Sequence, residues 1–179
     1  MTGNQSFGES SLMNKQEIKV TLRDITIRER PTLENLFQYY LYELSAFLKW
    51  NPNDDGVYPF NALSLHKYWE REDHSPYFIF QGDELAGFAL VRLYPGTQSA
   101  YDVEQFFVLR KFKGQGVGRQ ALQCIVNRHP GQWQIRVLLE NTPALTFWKS
   151  AVHSIVGERY TLSTETDVDL LMYFILFHV

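Results

Sequence analysis

Apolar and polar positions change period several times along this chain, and each change marks an element. Ile18, Val20 and Leu22 alternate with polar neighbours, as a half-buried strand does. Leu33, Leu36, Phe37, Tyr40, Leu41, Leu44, Phe47 and Leu48 then recur every three or four positions, which predicts an amphipathic helix. Thr32, following Pro31, is expected to cap it, and the breaker run Asn-Pro-Asn-Asp-Asp-Gly at 51–56 to end it. A shorter helix is expected over 63–71. Segments 77–80 and 85–93 flank the four residues 81–84, which include Gly82, and read as a β-hairpin. After Pro95-Gly96 a strand is expected over 101–109. Its first half alternates, with Asp102 and Glu104 on one face, whereas residues 106–109 are apolar on both. That break of phase fits either a β-bulge or a strand passing from half-buried to central. A helix follows to about Asn127 and is stopped by His129-Pro130-Gly131. A strand over 133–139 comes next. Thr142-Pro143 is expected to cap a helix carrying Ala144, Phe147, Trp148 and Ala151 on one face, and two strands near 158–163 and 170–177 close the chain. The resulting order, β-α-α-β-β-β-α-β-α-β-β, is that of a mixed-sheet α/β or α+β domain.

Composition narrows the class. With 179 residues, 45% of them hydrophobic and 21% charged, the chain is expected to form one globular domain over 13–179. Residues 1–12 are polar, rich in Gly and Ser, and read as a disordered leader. A net charge of −3 disfavours non-specific nucleic-acid binding. The single cysteine, Cys124, excludes an internal disulfide framework and reads as core. His66, His74, His129, His153 and His178 lack metal-ligand spacing, so no metal is expected. No G-x-S-x-G elbow is present. The strongly apolar run at 170–177 is too short to span a bilayer, and no signal sequence is visible, so a soluble cytoplasmic protein with no membrane partner is expected. The same apolar strand is expected to offer an edge to a second copy, as in a homodimer.

The candidate chemistry lies between Phe106 and Leu122, in a strand, a basic loop, three glycines and a helix start. Glycine lets backbone N–H groups approach a ligand, and a helix N-terminus attracts phosphate. Arg110, Lys111, Lys113 and Arg119 place four cations within ten residues of an otherwise acidic chain. A tight structural turn with a solvated basic rim would show the same pattern. Residues 116–121, Gly-Val-Gly-Arg-Gln-Ala, also match the G-x-G-x-x-A dinucleotide pattern, with Glu140 beyond it. Too few β-α units follow, however, to build a nicotinamide-binding sheet.

The run Phe107-Val108-Leu109-Arg110-Lys111-Phe112-Lys113-Gly114-Gln115-Gly116-Val117-Gly118 resembles the acyl-CoA-binding motif of the GNAT superfamily of N-acetyltransferases, Q/R-x-x-G-x-G/A, with Lys113 at the Q/R position. Residues 137–139, Asn141, Ala144 and Trp148 resemble the family's second motif, a strand followed by N-x-x-A and an aromatic. The resemblance implies a single GNAT-like domain with a mixed, largely antiparallel twisted sheet of six to seven strands and about four helices. It implies acetyl-CoA as co-substrate and direct transfer of an acetyl group to the primary amine of a small molecule or peptide. Backbone N–H groups from Lys113 to Arg119 would hold the pyrophosphate, with Lys111 or Arg119 beside it. Residues 107–109 would pair with the pantetheine arm, and an N–H of Val108 or Leu109 would polarise the thioester. Asn141, Ala144, Phe147 and Trp148 would flank that arm.

Glu104 occupies a position similar to the family's glutamate base, with Asp102 beside it; both also read as solvated acids on a polar strand face. Trp148 departs from the family's usual tyrosine, and an indole N–H is no acid at neutral pH. Tyr160, Tyr101 or solvent would then donate the proton, or the protein would bind acyl-CoA without efficient transfer. Aromatics of the first two helices and their linker, among them Tyr39, Tyr40, Tyr42, Trp50, Tyr58, Tyr68 and Trp69, would border the acceptor or fill the core.

Overall fold

The computed structural model describes residues 19–61, 63–95, 100–167 and 169–179; the expected leader, Ile18 and Gly96 lie outside them. Seven strands, β1 (Val20–Asp24), β2 (His74–Gln81), β3 (Glu84–Leu93), β4 (Ala100–Val108), β5 (Gln132–Leu138), β6 (Tyr160–Asp167) and β7 (Leu170–His178), form one sheet in the order β1-β2-β3-β4-β5-β7-β6. Every neighbouring pair is antiparallel except β4 and β5. Only one parallel β-α-β unit therefore exists among the described residues, which removes the doubly wound alternative.

Strand alternation divides the core between two faces. Phe88 and Leu90 of β3 pack with Leu33, Leu36, Phe37 and Leu41 of α1 (Arg30–Leu48) and with Leu65 and Tyr68 of α2 (Leu63–Glu70). Ala89 and Val91 point the other way, into the cluster containing Val117, Ala121, Leu122 and Ile125 of α3 (Val117–Arg128) and Trp148, Ala151 and Val152 of α4 (Thr142–Val156).

Several element ends differ from expectation because a local hydrogen bond wins. The start of α1 is set upstream of Thr32: the Glu29 carboxylate accepts the Thr26 N–H at 3.1 Å and its hydroxyl at 3.0 Å, and a 3-10 turn (Ile27–Glu29) runs into the helix. The cap of α4 is Asn141, whose Oδ1 accepts the Ala144 N–H at 3.2 Å, so Thr142 becomes its first residue. The β2–β3 hairpin closes through two residues, with Gly82 at φ 60°. β7 lies between β5 and β6, with partners on both sides, so it offers no edge to a second copy; the edge on this side is β6.

The phase break in β4 is a bulge. Leu90 faces Gln105 while Val91 faces Val103, which leaves Glu104 as the extra residue. Glu104 and Gln105 consequently both reach the α1/α2 face, where they meet Tyr68 and Tyr40. The bulge lies nearer the middle of the strand than its fully apolar half, because the acid and the amide are the residues turned to the same side. β4 pairs with β5 only through residues 100–102 and 132–134, and beyond that the two strands part.

Candidate active site

A cleft of about 560 Å³ fills the gap that the two strands leave. Phe106, Phe107 and Val108 of β4 form one side; Phe112, Lys113, Gly114, Gly116, Val117, Gly118 and Arg119 form its glycine-rich end. Asn141, Pro143, Ala144, Phe147 and Trp148 contribute the α4 side, and Tyr40, Glu43, Leu44 and Phe47 the α1 side. The backbone of the glycine loop is specific. Gly114 and Gly116 adopt φ 77° and 81°, a region side chains disfavour, and Gly116 precedes α3 with no side-chain cap. The first backbone bond back into this turn runs from the Gln120 N–H to the Gly116 carbonyl, so the N–H groups of Val117, Gly118 and Arg119 precede it. A Cβ on Gly118 would stand 2.8 Å from the Phe147 ring, so glycine is what allows α3 to approach α4 here.

The edge of β4 is equally defined. The Leu109 N–H donates to Ala86 at 2.8 Å and is therefore engaged within the sheet. Antiparallel alternation then turns the N–H and carbonyl of Val108 away from β3, toward the edge β5 has vacated. Of the two N–H groups expected to face a thioester, that of Val108 is turned toward the cleft and that of Leu109 is held within the sheet. Gly87 makes the curvature possible: a Cβ there would lie 1.9 Å from the Phe107 carbonyl oxygen, a constraint the sequence pattern did not reveal.

The basic residues disperse. Lys113 and Arg119 line the cleft, with Lys113 bonded to Glu43 and Arg119 to Ser150. Lys111 instead pairs with exposed Glu84, and Arg110 with Glu43. Leu109, Lys111 and Gln115 do not line the cleft: Leu109 packs into the core, and the Gln115 side chain bonds the Lys111 carbonyl at 2.6 Å.

A second cavity, of about 470 Å³, adjoins the first and shares Tyr40, Leu44, Phe106, Asn141, Ala144 and Trp148 with it. Glu104, Gln105, Arg92 and Arg136 supply its polar lining. Glu104 accepts hydrogen bonds from the Tyr68 hydroxyl and from Lys67 at 3.0 Å, and forms an ion pair with Arg92 at 2.8 Å. Burial alone would raise its pKa, but the Tyr68 hydroxyl, Arg92 and Lys67 outweigh that and hold it below the usual glutamate value. Asp102 is placed differently from the expectation that it neighbours the base on a reactive face. It has no solvent exposure, lines neither cavity, and receives Arg136 at 2.6 Å and Arg92 at 3.2 Å. Burial pushes its pKa up against those two cations, and its place is that of a buried anchor for them.

Tyr160 and Tyr101 are not brought to the site. Tyr160 pairs with Phe177, Phe177 with Trp133, and Trp133 with Tyr101, which sets both tyrosines at the end of the sheet where β4 and β5 are still paired. The hydroxyl that does reach the junction belongs to Tyr40, which lines both cavities and donates to Gln105 Oε1. Burial is the main cause raising its pKa well above a free phenol's, and Glu104 adds to it while Arg136 opposes. Trp148 fills the tyrosine position with its ring 4.9 Å from those of Phe106 and Phe147. Tyr40 was legible only as one of several α1 aromatics. Among the described residues, no group of three or more His, Cys, Asp or Glu side chains is placed to hold a metal ion, and no helix is long and apolar enough to cross a membrane.

A mixed seven-stranded sheet opens between its one parallel pair, with an uncapped helix start and the edge of β4 facing the opening. Residues 37–151 match the model of the acetyltransferase (GNAT) family, and the chain belongs to that family. No curated protein matches it at a significant level. Among solved structures, an acetyltransferase from Thermus thermophilus is similar, with a TM-score of 0.66, 15% identity, and 90% of this chain and 98% of that one covered. The ribosomal-protein-S18-alanine N-acetyltransferase from Escherichia coli gives a TM-score of 0.60 and 13% identity over 90% of this chain and 94% of that one. The aminoglycoside acetyltransferase AAC(6')-Ib in complex with coenzyme A gives 0.63 and 16% over 89% and 95%. At these identities the likeness is one of fold.

Proposed function

We propose that the protein transfers an acetyl group from acetyl-CoA directly to a primary amine, with the first cleft holding the cofactor and the second cavity the acceptor. The observation that carries this reading is the meeting of an uncapped α3 start with the unpaired Phe106–Val108 edge of β4 inside one cleft. The residues present fit the cofactor. Three N–H groups at the start of α3, with Arg119 and Lys113 beside them, suit a pyrophosphate. The vacated strand edge suits the amides of a pantetheine arm, which would add to it as a strand does.

When bound, acetyl-CoA supplies a thioester carbonyl carbon open to attack by an amine. The Val108 N–H would donate to that carbonyl oxygen and stabilise the charge that develops there. Glu104 would take the ammonium proton; because its pKa is lowered it is a weak base, suited to an amine already partly neutral. As the carbon–sulfur bond breaks, the Tyr40 hydroxyl would hand its proton to the departing sulfur, in place of the absent tyrosine at 148, and would recover one from the attacking nitrogen as the amide forms, leaving the first ammonium proton on Glu104 to pass to solvent. Tyr160 and Asp102 take no part in this reading.

Thermal melting with and without acetyl-CoA, coenzyme A and NADPH tests the cofactor assignment, and thiol release across an amine panel tests transfer. At 100 times its dissociation constant a ligand stabilises by about 2.7 kcal/mol, or roughly 5–10 °C for a chain of this size. Both coenzyme A forms should give that rise and NADPH none. A rise without thiol release from any amine would favour a binding module, and no rise would overturn the reading.

A further inference from the structure

Among its described lining residues the acceptor cavity has one carboxylate, Glu104, and two guanidiniums, Arg92 and Arg136. Glu104 is already shared by the Tyr68 hydroxyl, Lys67 and Arg92. Asp102 stands behind both arginines, fully buried, and Asp167 takes the far end of Arg136. A polycationic acceptor would bring several ammonium groups to a wall with no unshared carboxylate, and some would face guanidiniums. The field of this wall selects against such a molecule.

The wall is instead complementary to an acceptor that brings its own anion. A guanidinium has five N–H donors. Asp102 and the ion pair with Glu104 engage two nitrogens of Arg92; Asp102, which also accepts from Arg136 Nε at 3.3 Å, and Asp167 engage three of Arg136, so both keep N–H groups for a ligand. Arg92 touches Glu104 directly at 2.8 Å, so an anion-receiving and an ammonium-receiving group stand side by side. The ligand that matches two such neighbours carries its amine and its carboxylate on one carbon. Much of the remaining lining is apolar, from Leu44, Leu48, Val137, Leu138 and Met172.

We propose that the acceptor is an α-amino acid with an apolar side chain, its amine at Glu104 and its carboxylate on Arg92 and Arg136. This rests on the acetyl-transfer reading above. The test is thiol release from acetyl-CoA by the full chain with leucine, methionine, leucinamide, isopentylamine, spermidine and kanamycin, with products confirmed by mass. Leucine or methionine should exceed leucinamide and isopentylamine by at least about tenfold in kcat/KM. Arg92→Gln should bring the leucine-to-leucinamide ratio below about threefold, and Arg92→Lys, which keeps the charge, should retain more of it. A melting rise with acetyl-CoA in each variant would show that the fold and cofactor cleft persist. Equal or better turnover of leucinamide, spermidine or kanamycin, or a ratio unchanged in both arginine variants, would overturn the proposal while leaving acetyl transfer standing. Absence of thiol release with every amine would remove both.

Discussion

Of the six residues common to the two cavities, Tyr40 alone carries a hydroxyl. Asn141 spends its carbonyl oxygen on the α4 cap, and Trp148 offers only an indole. If Tyr40 protonates the leaving sulfur, Tyr40→Phe should lower kcat by about 10²-fold or more, within the usual range for general acids. Its melting rise with acetyl-CoA should match that of the parent chain. Steady-state kinetics alongside melting would separate the two effects, and an unchanged kcat would return the proton to solvent. At this scale the sequence was readable where one backbone stretch makes the site. Spacing alone brings Gly114, Gly116 and Gly118 together: the tight turn into α3 needs the first two, and the close approach of α3 to α4 needs the third. Partnerships between distant segments were not readable. The bond between Tyr40 and Gln105, and those from Lys67 and Tyr68 of α2 to Glu104, depend on how α1 and α2 lie across β4, and no local period encodes that crossing.

Among the elements, β4 determines the site, and it depends on its neighbour β3. The bulge at Glu104 turns the acid and the amide to the same side, and the missing side chain at Gly87 lets the two backbones close below it. The phase break was visible as a pattern. Its position was not, since register is set by cross-strand pairing rather than by one strand's own alternation. Gly87 sits in an unbroken apolar run and gives no local signal. Gly87→Ala would force a Cβ against the Phe107 carbonyl oxygen, which cannot swing aside as a side chain would. The expected cost is at least about 2 kcal/mol, measured as a lower urea midpoint at constant m. Because the same shift moves the Phe106–Val108 edge, acetyl-CoA affinity should fall with it. Gly114→Ala is the informative comparison, since no atom lies within 4 Å of its added Cβ and only the positive φ opposes it. Wild-type stability in Gly87→Ala would mean the sheet can flatten there without cost.

The molecule as a whole carries a pH dependence that Glu104 and Tyr40 do not set. His74 stacks edge-on against Tyr68 at 4.9 Å and bonds Asp73 at 2.7 Å, with its Nε2 buried and unpaired among the described residues. His129 bonds the Tyr77 hydroxyl at 2.7 Å and packs on Tyr101, with the Arg128 side chain adjacent. Burial is the main cause that lowers both pKa values below the ordinary 6.5; for His74 the Asp73 carboxylate opposes it, and for His129 the Arg128 charge adds to it. The unfolded chain, with ordinary histidines, takes up protons below that value before the folded chain does. Stability from these two sites is therefore present above pH 6.5 and is lost as pH falls toward their folded values. The carboxylates act lower. Glu104, held below 4.5, loses its contribution only in stronger acid, whereas Asp102, raised by burial, recovers some stability on protonation. Melting temperature should accordingly fall between pH 7.5 and 5.5, on the order of a few °C. His129→Gln keeps a polar partner for Tyr77 but cannot titrate, so it should flatten part of that slope. An equally steep slope in His129→Gln would assign the acid sensitivity to His74, beside the Tyr68 that holds Glu104, and acid would then disturb the cavity lined by Glu104 before the glycine-rich cleft.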